Sequence, residues 1–137
     1  MARAPKTWKE KLDNGKEPFV GTMNRAISGV PAGGLMLIPT PRQVDNYIKS
    51  IPKGTGKTPE DMAADLAKEA GADITCPMST GIFVRIASEA AHEDMKVGMK
   101  CVTPFWRIIP PKAKVRMKLT FGEAIIDQLR KEEGLTI

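Results

Sequence analysis

Lys112-Ala113-Lys114-Val115-Arg116-Met117-Lys118-Leu119 alternates with a period of two, and that alternation predicts a β-ribbon with one face cationic throughout. Just upstream, Cys101-Val102-Thr103 and Phe105-Trp106-Arg107-Ile108-Ile109 are dense in β-branched and aromatic residues. They are bounded by Pro104 and Pro110-Pro111, which predicts one or two strands interrupted at an edge. From Arg107 to Lys118 there are five cations and no acid. Such a ribbon is either a solvated edge that discourages strand pairing or a surface for a polyanion.

Working outward, the flanking segments carry helix signals. Thr40-Pro41 is a start, followed by Val44, Tyr47, Ile48 and Ile51 at helical spacing, with Pro52 and Gly54 as the stop. Thr58-Pro59 repeats the start, Asp61 completes a capping box, and Met62 and Leu66 with alanines 63, 67 and 70 form a thin apolar face before Gly71. A third helix is expected after Pro77–Gly81, carrying Ile82, Phe83, Ile86, Ala87, Ala90 and Ala91 and ending at Gly98. Thr120 with Glu123 predicts a second capping box, opening a last helix that runs to Gly134. The expected fold is therefore mainly α with a small β-ribbon, winged helix-turn-helix-like, over residues 40–137. Residues 1–39, punctuated by Gly15, Gly21, Gly29, Gly33, Gly34 and four prolines, read as a loop-rich N-terminal arm with a short helix around Trp8–Leu12.

A chain of 137 residues, 42% of them hydrophobic, suits one domain with its own core. Two cysteines and one histidine exclude a disulfide scaffold, a Cys-rich zinc site and histidine-cluster chemistry, so neither a metal nor a cofactor is expected. The longest uncharged apolar run, Gly33–Pro39, is far short of the roughly 20 residues a membrane span needs. No signal-peptide pattern follows Met1, so a cytoplasmic location is expected. The net charge is +5, and the acids Glu60, Asp61, Asp65, Glu69 and Asp73 gather on or near the second helix, away from the cationic ribbon. Segregation of this kind favours a nucleic-acid partner.

Gly54-Thr55-Gly56-Lys57-Thr58 looks like a phosphate loop but lacks the glycine five residues before Gly56 and a preceding strand, so a turn followed by a helix cap is expected instead. His92 is expected on the exposed side of its helix as a solvated side chain. Cys76 and Cys101 are either buried thiols or nucleophiles, the latter requiring a cationic or helix-terminal setting.

The order of these segments resembles the DNA-binding domain of the alkylguanine-DNA alkyltransferases and their alkyltransferase-like relatives. The resemblance is carried by Val44–Gly54, Thr58–Ala63, Leu66-Ala67, Val84-Arg85-Ile86, Pro104-Phe105-Trp106-Arg107-Ile108 and Leu129–Gly134, within residues 40–135. In the family's Pro-Cys-His-Arg-Val motif the cysteine takes the alkyl group from a flipped guanine; here Phe105 and Trp106 stand at the cysteine and histidine positions. The resemblance thus implies an alkyltransferase-like protein that binds alkylated guanine in double-stranded DNA without repairing it and flags it for repair proteins. It implies that Pro104, Phe105 and Trp106 line the lesion pocket and that Arg85 enters the base stack, where the residue-level alternative is a surface arginine. Arg85 and Ser88 on the recognition helix, with Arg107, Lys112, Lys114, Arg116 and Lys118, are the expected DNA-binding residues. Pro59 stands where the family has a nucleotide-rotating tyrosine, and Val97 near its hinge asparagine. The competing expectations are an alkyl acceptor at Cys76 or Cys101 and a winged-helix protein-interaction module.

Overall fold

Threonine hydroxyls placed just ahead of prolines set the first two long helices. In the computed structural model, which describes residues 7–135, Thr40 Oγ accepts from Gln43 N at 3.1 Å to open α2 (Pro41–Lys49). Thr58 and Asp61 exchange backbone-to-side-chain hydrogen bonds of 3.0 Å in a capping box that opens α3 (Pro59–Ala70). Gly71, at φ 71°, closes α3 in the left-handed conformation that a helix stop requires. A shorter helix, α1 (Trp8–Leu12), precedes both, and α4 (Pro77–Lys96) and α5 (Ala124–Glu132) follow.

The sheet lies elsewhere than the ribbon expected from the sequence. Strand β1 (Phe19–Thr22) runs antiparallel to β2 (Leu35–Ile38), and β2 runs parallel to β3 (Ile74–Thr75), in the order β1-β2-β3. The molecule is thus a small mixed α/β protein, about half helical with a three-stranded sheet. The loop-rich arm supplies two of the three strands and pairs, through Met36 and Leu37, with the segment after α3.

Neither predicted strand after α4 forms. Phe105–Arg107 is a single 3₁₀ turn, and Lys114–Lys118 is a second one. Pro104, Pro110 and Pro111 fix φ and lack N–H donors, so this stretch offers a poor ladder. The period-two pattern is also broken by tertiary contacts, since the adjacent Val115 and Arg116 both turn inward. Two helix starts differ as well. Helix α4 begins at Pro77, so Met78–Gly81 form its first turn rather than a preceding loop. The expected Thr120–Glu123 capping box is absent because Thr120 is engaged elsewhere: its N and Oγ1 donate to the Glu89 carboxylate at 3.0 and 2.6 Å.

The core is the meeting of α2, α3 and α4 with the Phe105–Ile109 segment and α5, centred on Val44, Ile48, Met62, Val84, Phe105 and Ile108. Two carboxylates lock that segment in place. Asp45, 1% exposed, accepts from Thr103 Oγ1 at 2.6 Å and pairs with Arg42 and Lys49, each at 3.1 Å. At the other end Glu133 accepts from Trp106 Nε1 at 2.7 Å, from Arg107 Nη2 at 2.8 Å and from Gly54 N at 2.9 Å. Among the described residues no helix is long and apolar enough to cross a membrane.

Burial alone would raise the Glu133 carboxyl, but hydrogen bonds from Arg107, Gly54 and Trp106 hold it at about 2, below its ordinary 4.5. Its contribution to stability is therefore fully present above 4.5 and lost as the pH falls toward 2. Glu133→Gln is expected to lower unfolding stability by about 3 kcal/mol at neutral pH and to flatten the acid limb of the stability profile, as read from urea midpoints across that range. Asp45→Asn is expected to cost about 2 kcal/mol by the same measurement with an unchanged m value, because the Thr103 hydroxyl loses a charged acceptor.

Candidate nucleic-acid interface

An open groove of about 970 Å³ runs between α3, β3, the first turns of α4 and the Pro110–Val115 segment. Alanines explain its shape: Ala63, Ala64 and Ala67 on α3 and Ala113 opposite leave space that larger side chains would fill. Val84 and Val115 add to its apolar lining, and Pro59, Thr80 and Gly81 also line it. Charged side chains mark its edges, with Lys112 and Lys114 on one wall and Glu60 and Lys68 on α3. The groove has the size of a small-molecule or single-nucleotide pocket.

Electrostatically, the α4 end of the groove combines the N-terminus of that helix with the carboxylate of Asp73, which accepts from Leu35 N at 2.8 Å. Helix α4 spans 20 residues, opens at Pro77, and its N-cap Cys76 makes no side-chain capping bond. The positive end of the helix dipole and the first-turn N–H groups therefore lie beside the groove. Lys112 and Lys114 line the groove and are exposed, as is Lys118 further along the chain, and among the described residues none of the three is in an ion pair.

The remaining sequence-expected contacts are placed differently. Ser88 is fully buried and its hydroxyl donates to Val84 O at 2.7 Å, so it presents nothing to a partner. Arg116, 4% exposed, donates to Pro110 O at 2.9 Å and to Asp127 at 2.8 Å, with Glu123 at 3.5 Å; it is an internal tie of α5. Arg107 is half-buried in the Glu133 cluster and also donates to Ile51 O at 2.8 Å. Arg85 is half-buried, with its guanidinium 5.2 Å over the Trp8 ring. Its Nε is buried without an acceptor. This contact ties the N-terminal arm to α4.

Pro104, Phe105 and Trp106 lie apart from the groove. Phe105 is wholly buried, edge-on to Trp106 at 5.3 Å and to Phe121 at 5.4 Å, which makes this trio core and clamp. Of the two departures from the family pattern, Pro59 lies in the groove and Val97 is exposed at the end of α4. His92 is not a solvated side chain; it is half-buried and stacks on Phe121 at 4.2 Å, because the Glu89–Thr120 bonds bring that loop onto α4. The Gly54–Thr58 string forms the expected turn and cap, with Thr55 N donating to Pro52 O. Cys76 is half-buried between the groove residues Thr75 and Pro77, and Cys101 is exposed.

Thr80, Gly81, Lys68 and Ala113 line the groove without being among the residues expected at a site. The signal for the first two was Pro77, which fits the first position of a helix and so turns Met78–Gly81 into helical surface. No family model, curated protein or solved structure matches this chain.

Proposed function

We propose that this protein is a non-enzymatic binder of double-stranded DNA, of the alkyltransferase-like kind, using α2–α4 as a helix-turn-helix and the Lys112–Lys118 segment as its cationic flank. The observation that carries the reading is the pair Lys112 and Lys114, exposed, without ion-pair partners among the described residues and lining the same groove as the first turns of a 20-residue helix, with exposed Lys118 further along the same segment. Phosphates would bind that wall, and the first turns of α4, with exposed Met78 and Ile82, would face the duplex. In this reading an extruded alkylated guanine enters the alanine-lined groove instead of a Phe105–Trp106 pocket, and the unrepaired lesion is left marked for repair proteins. Neither a metal nor a cofactor takes part, and the protein acts in the cytoplasm.

Cys76, flanked by groove residues, supports one competing reading, in which it accepts the alkyl group. Intact mass after incubation with O6-alkylguanine DNA separates the two: a gain of one alkyl group establishes the acceptor, and an unchanged mass under binding conditions removes it.

Duplex titrations at several salt concentrations test the main reading. Changing each of Lys112, Lys114 and Lys118 to Glu is expected to lower affinity and to reduce the slope of log affinity against log salt by about 0.9 per lost phosphate contact. An O6-alkylguanine duplex is expected to bind more tightly than its unmodified twin; equal affinity sinks the lesion-sensing part, and unaltered binding by the lysine variants sinks the interface.

A further inference from the structure

Strand β1 is one edge of the sheet, the longer of the two, and its outer side is unpaired among the described residues. Met23 N donates to Gly34 O at 2.8 Å, and by the alternation of an antiparallel ladder Gly21 and Phe19 also bond toward β2. Val20 and Thr22 therefore point their N–H and C=O groups away from the sheet, and among the described residues no backbone group pairs with them. The edge is also apolar: Phe19 is 60% exposed, Val20 37% and the adjacent Leu35 40%.

We propose that two copies of this chain associate by pairing their β1 strands antiparallel about Gly21, joining their sheets into one. With Gly21 on the two-fold axis, Val20 of one copy bonds Thr22 of the other, which is the pairing their outward groups allow. The two Gly21 Cα atoms then face each other in the closely spaced, non-hydrogen-bonded position, about 4.5 Å apart. No side chain stands there, and the Phe19 ring already lies over Gly21: a Cβ at that glycine would sit 2.9 Å from Phe19 Cζ. Two Phe19 rings thus cover the crossing on one face, and two Val–Thr pairs, both β-branched, fill the other.

Charge favours a second copy over an unrelated strand. Lys16-Glu17 leads into β1 and Asn24-Arg25 leads out of it. In the antiparallel pairing about Gly21 the Glu17 end of each copy meets the Arg25 end of its mate, so the same opposite-charge match occurs twice. Among the described residues neither Glu17 nor Arg25 is in an ion pair. Pro18, which has no N–H, ends the ladder and keeps it from propagating.

Sedimentation equilibrium of the full chain over micromolar to sub-millimolar concentrations tests this. The expected species is a dimer of twice the 14.9 kDa chain mass. Thr22→Pro removes an outward N–H and no β1–β2 bond, so it is expected to yield a monomer with an unchanged circular dichroism spectrum. Glu17→Arg and Arg25→Glu are each expected to raise the dimer Kd about tenfold, and the two together to restore it. A wild-type chain that stays monomeric throughout overturns the proposal, and so does a dimer that Thr22→Pro leaves intact. Charge variants without effect or without mutual rescue overturn the Gly21 register.

Discussion

The Glu133 carboxylate gathers donors from two parts of the chain far from it in sequence, the loop at Gly54 and the turn at Trp106 and Arg107, and Arg107 Nη1 in turn donates to the carbonyl of Ile51, just past α2. Removing a carboxylate from water costs several kcal/mol, and four donors aimed at it offset that cost. Around this point Arg107 O accepts from Lys57 N at 2.8 Å, and Arg130 Nη1 donates to Trp106 O at 2.8 Å. One side of the groove is α3, which starts at Pro59 behind its Thr58 cap; another is the segment that starts at Pro110. Both begin a few residues from this cluster.

Positive charge is sorted by side-chain chemistry. Arg107, Arg116 and Arg130 turn inward, where a planar fork of donors can satisfy several carbonyl and carboxylate acceptors at once. Lys112, Lys114 and Lys118, interleaved with Arg116 in one short stretch, stay in water, as a compact, strongly hydrated ammonium requires. Of the five cations between Arg107 and Lys118, two are structural and three are exposed. A count of charge along the sequence treats them alike; the difference between guanidinium and ammonium separates them.

Local chemistry was legible in the sequence wherever it was decided locally. Thr40-Pro41 and Thr58-Pro59-x-Asp61 specify their own caps, and the turn at Gly54–Thr58 needs nothing beyond its own residues and the helix it caps. The 112–119 stretch was misread because its alternation is only a pattern of charge, whereas its conformation depends on Asp127 and Glu123 from a helix that follows it. The same applies to Thr120, whose capping chemistry is captured by Glu89 from 31 residues away. The sheet escaped notice because β1 and β2 are four residues each and β3 two, too short for periodicity to register, and their pairing spans the break between arm and helices.

Helix α4 shows how one contact redistributes a surface. Met78, Gly81, Ile82 and Arg85 recur at helical spacing along one strip. At its inner end the arm closes over it: Trp8 stacks on Arg85, Lys9 pairs with Asp94, and Leu12 is buried. Stacking a guanidinium on an indole is favourable by about 1 kcal/mol or more when partly desolvated, and it leaves that arginine committed to the fold. What the strip offers to solvent is its outer end, where Met78 is 74% and Ile82 47% exposed. The docking of α1 therefore moves the accessible part of α4 from the middle of the helix to its first two turns, the same turns whose positive dipole end lies across the groove from Lys112 and Lys114.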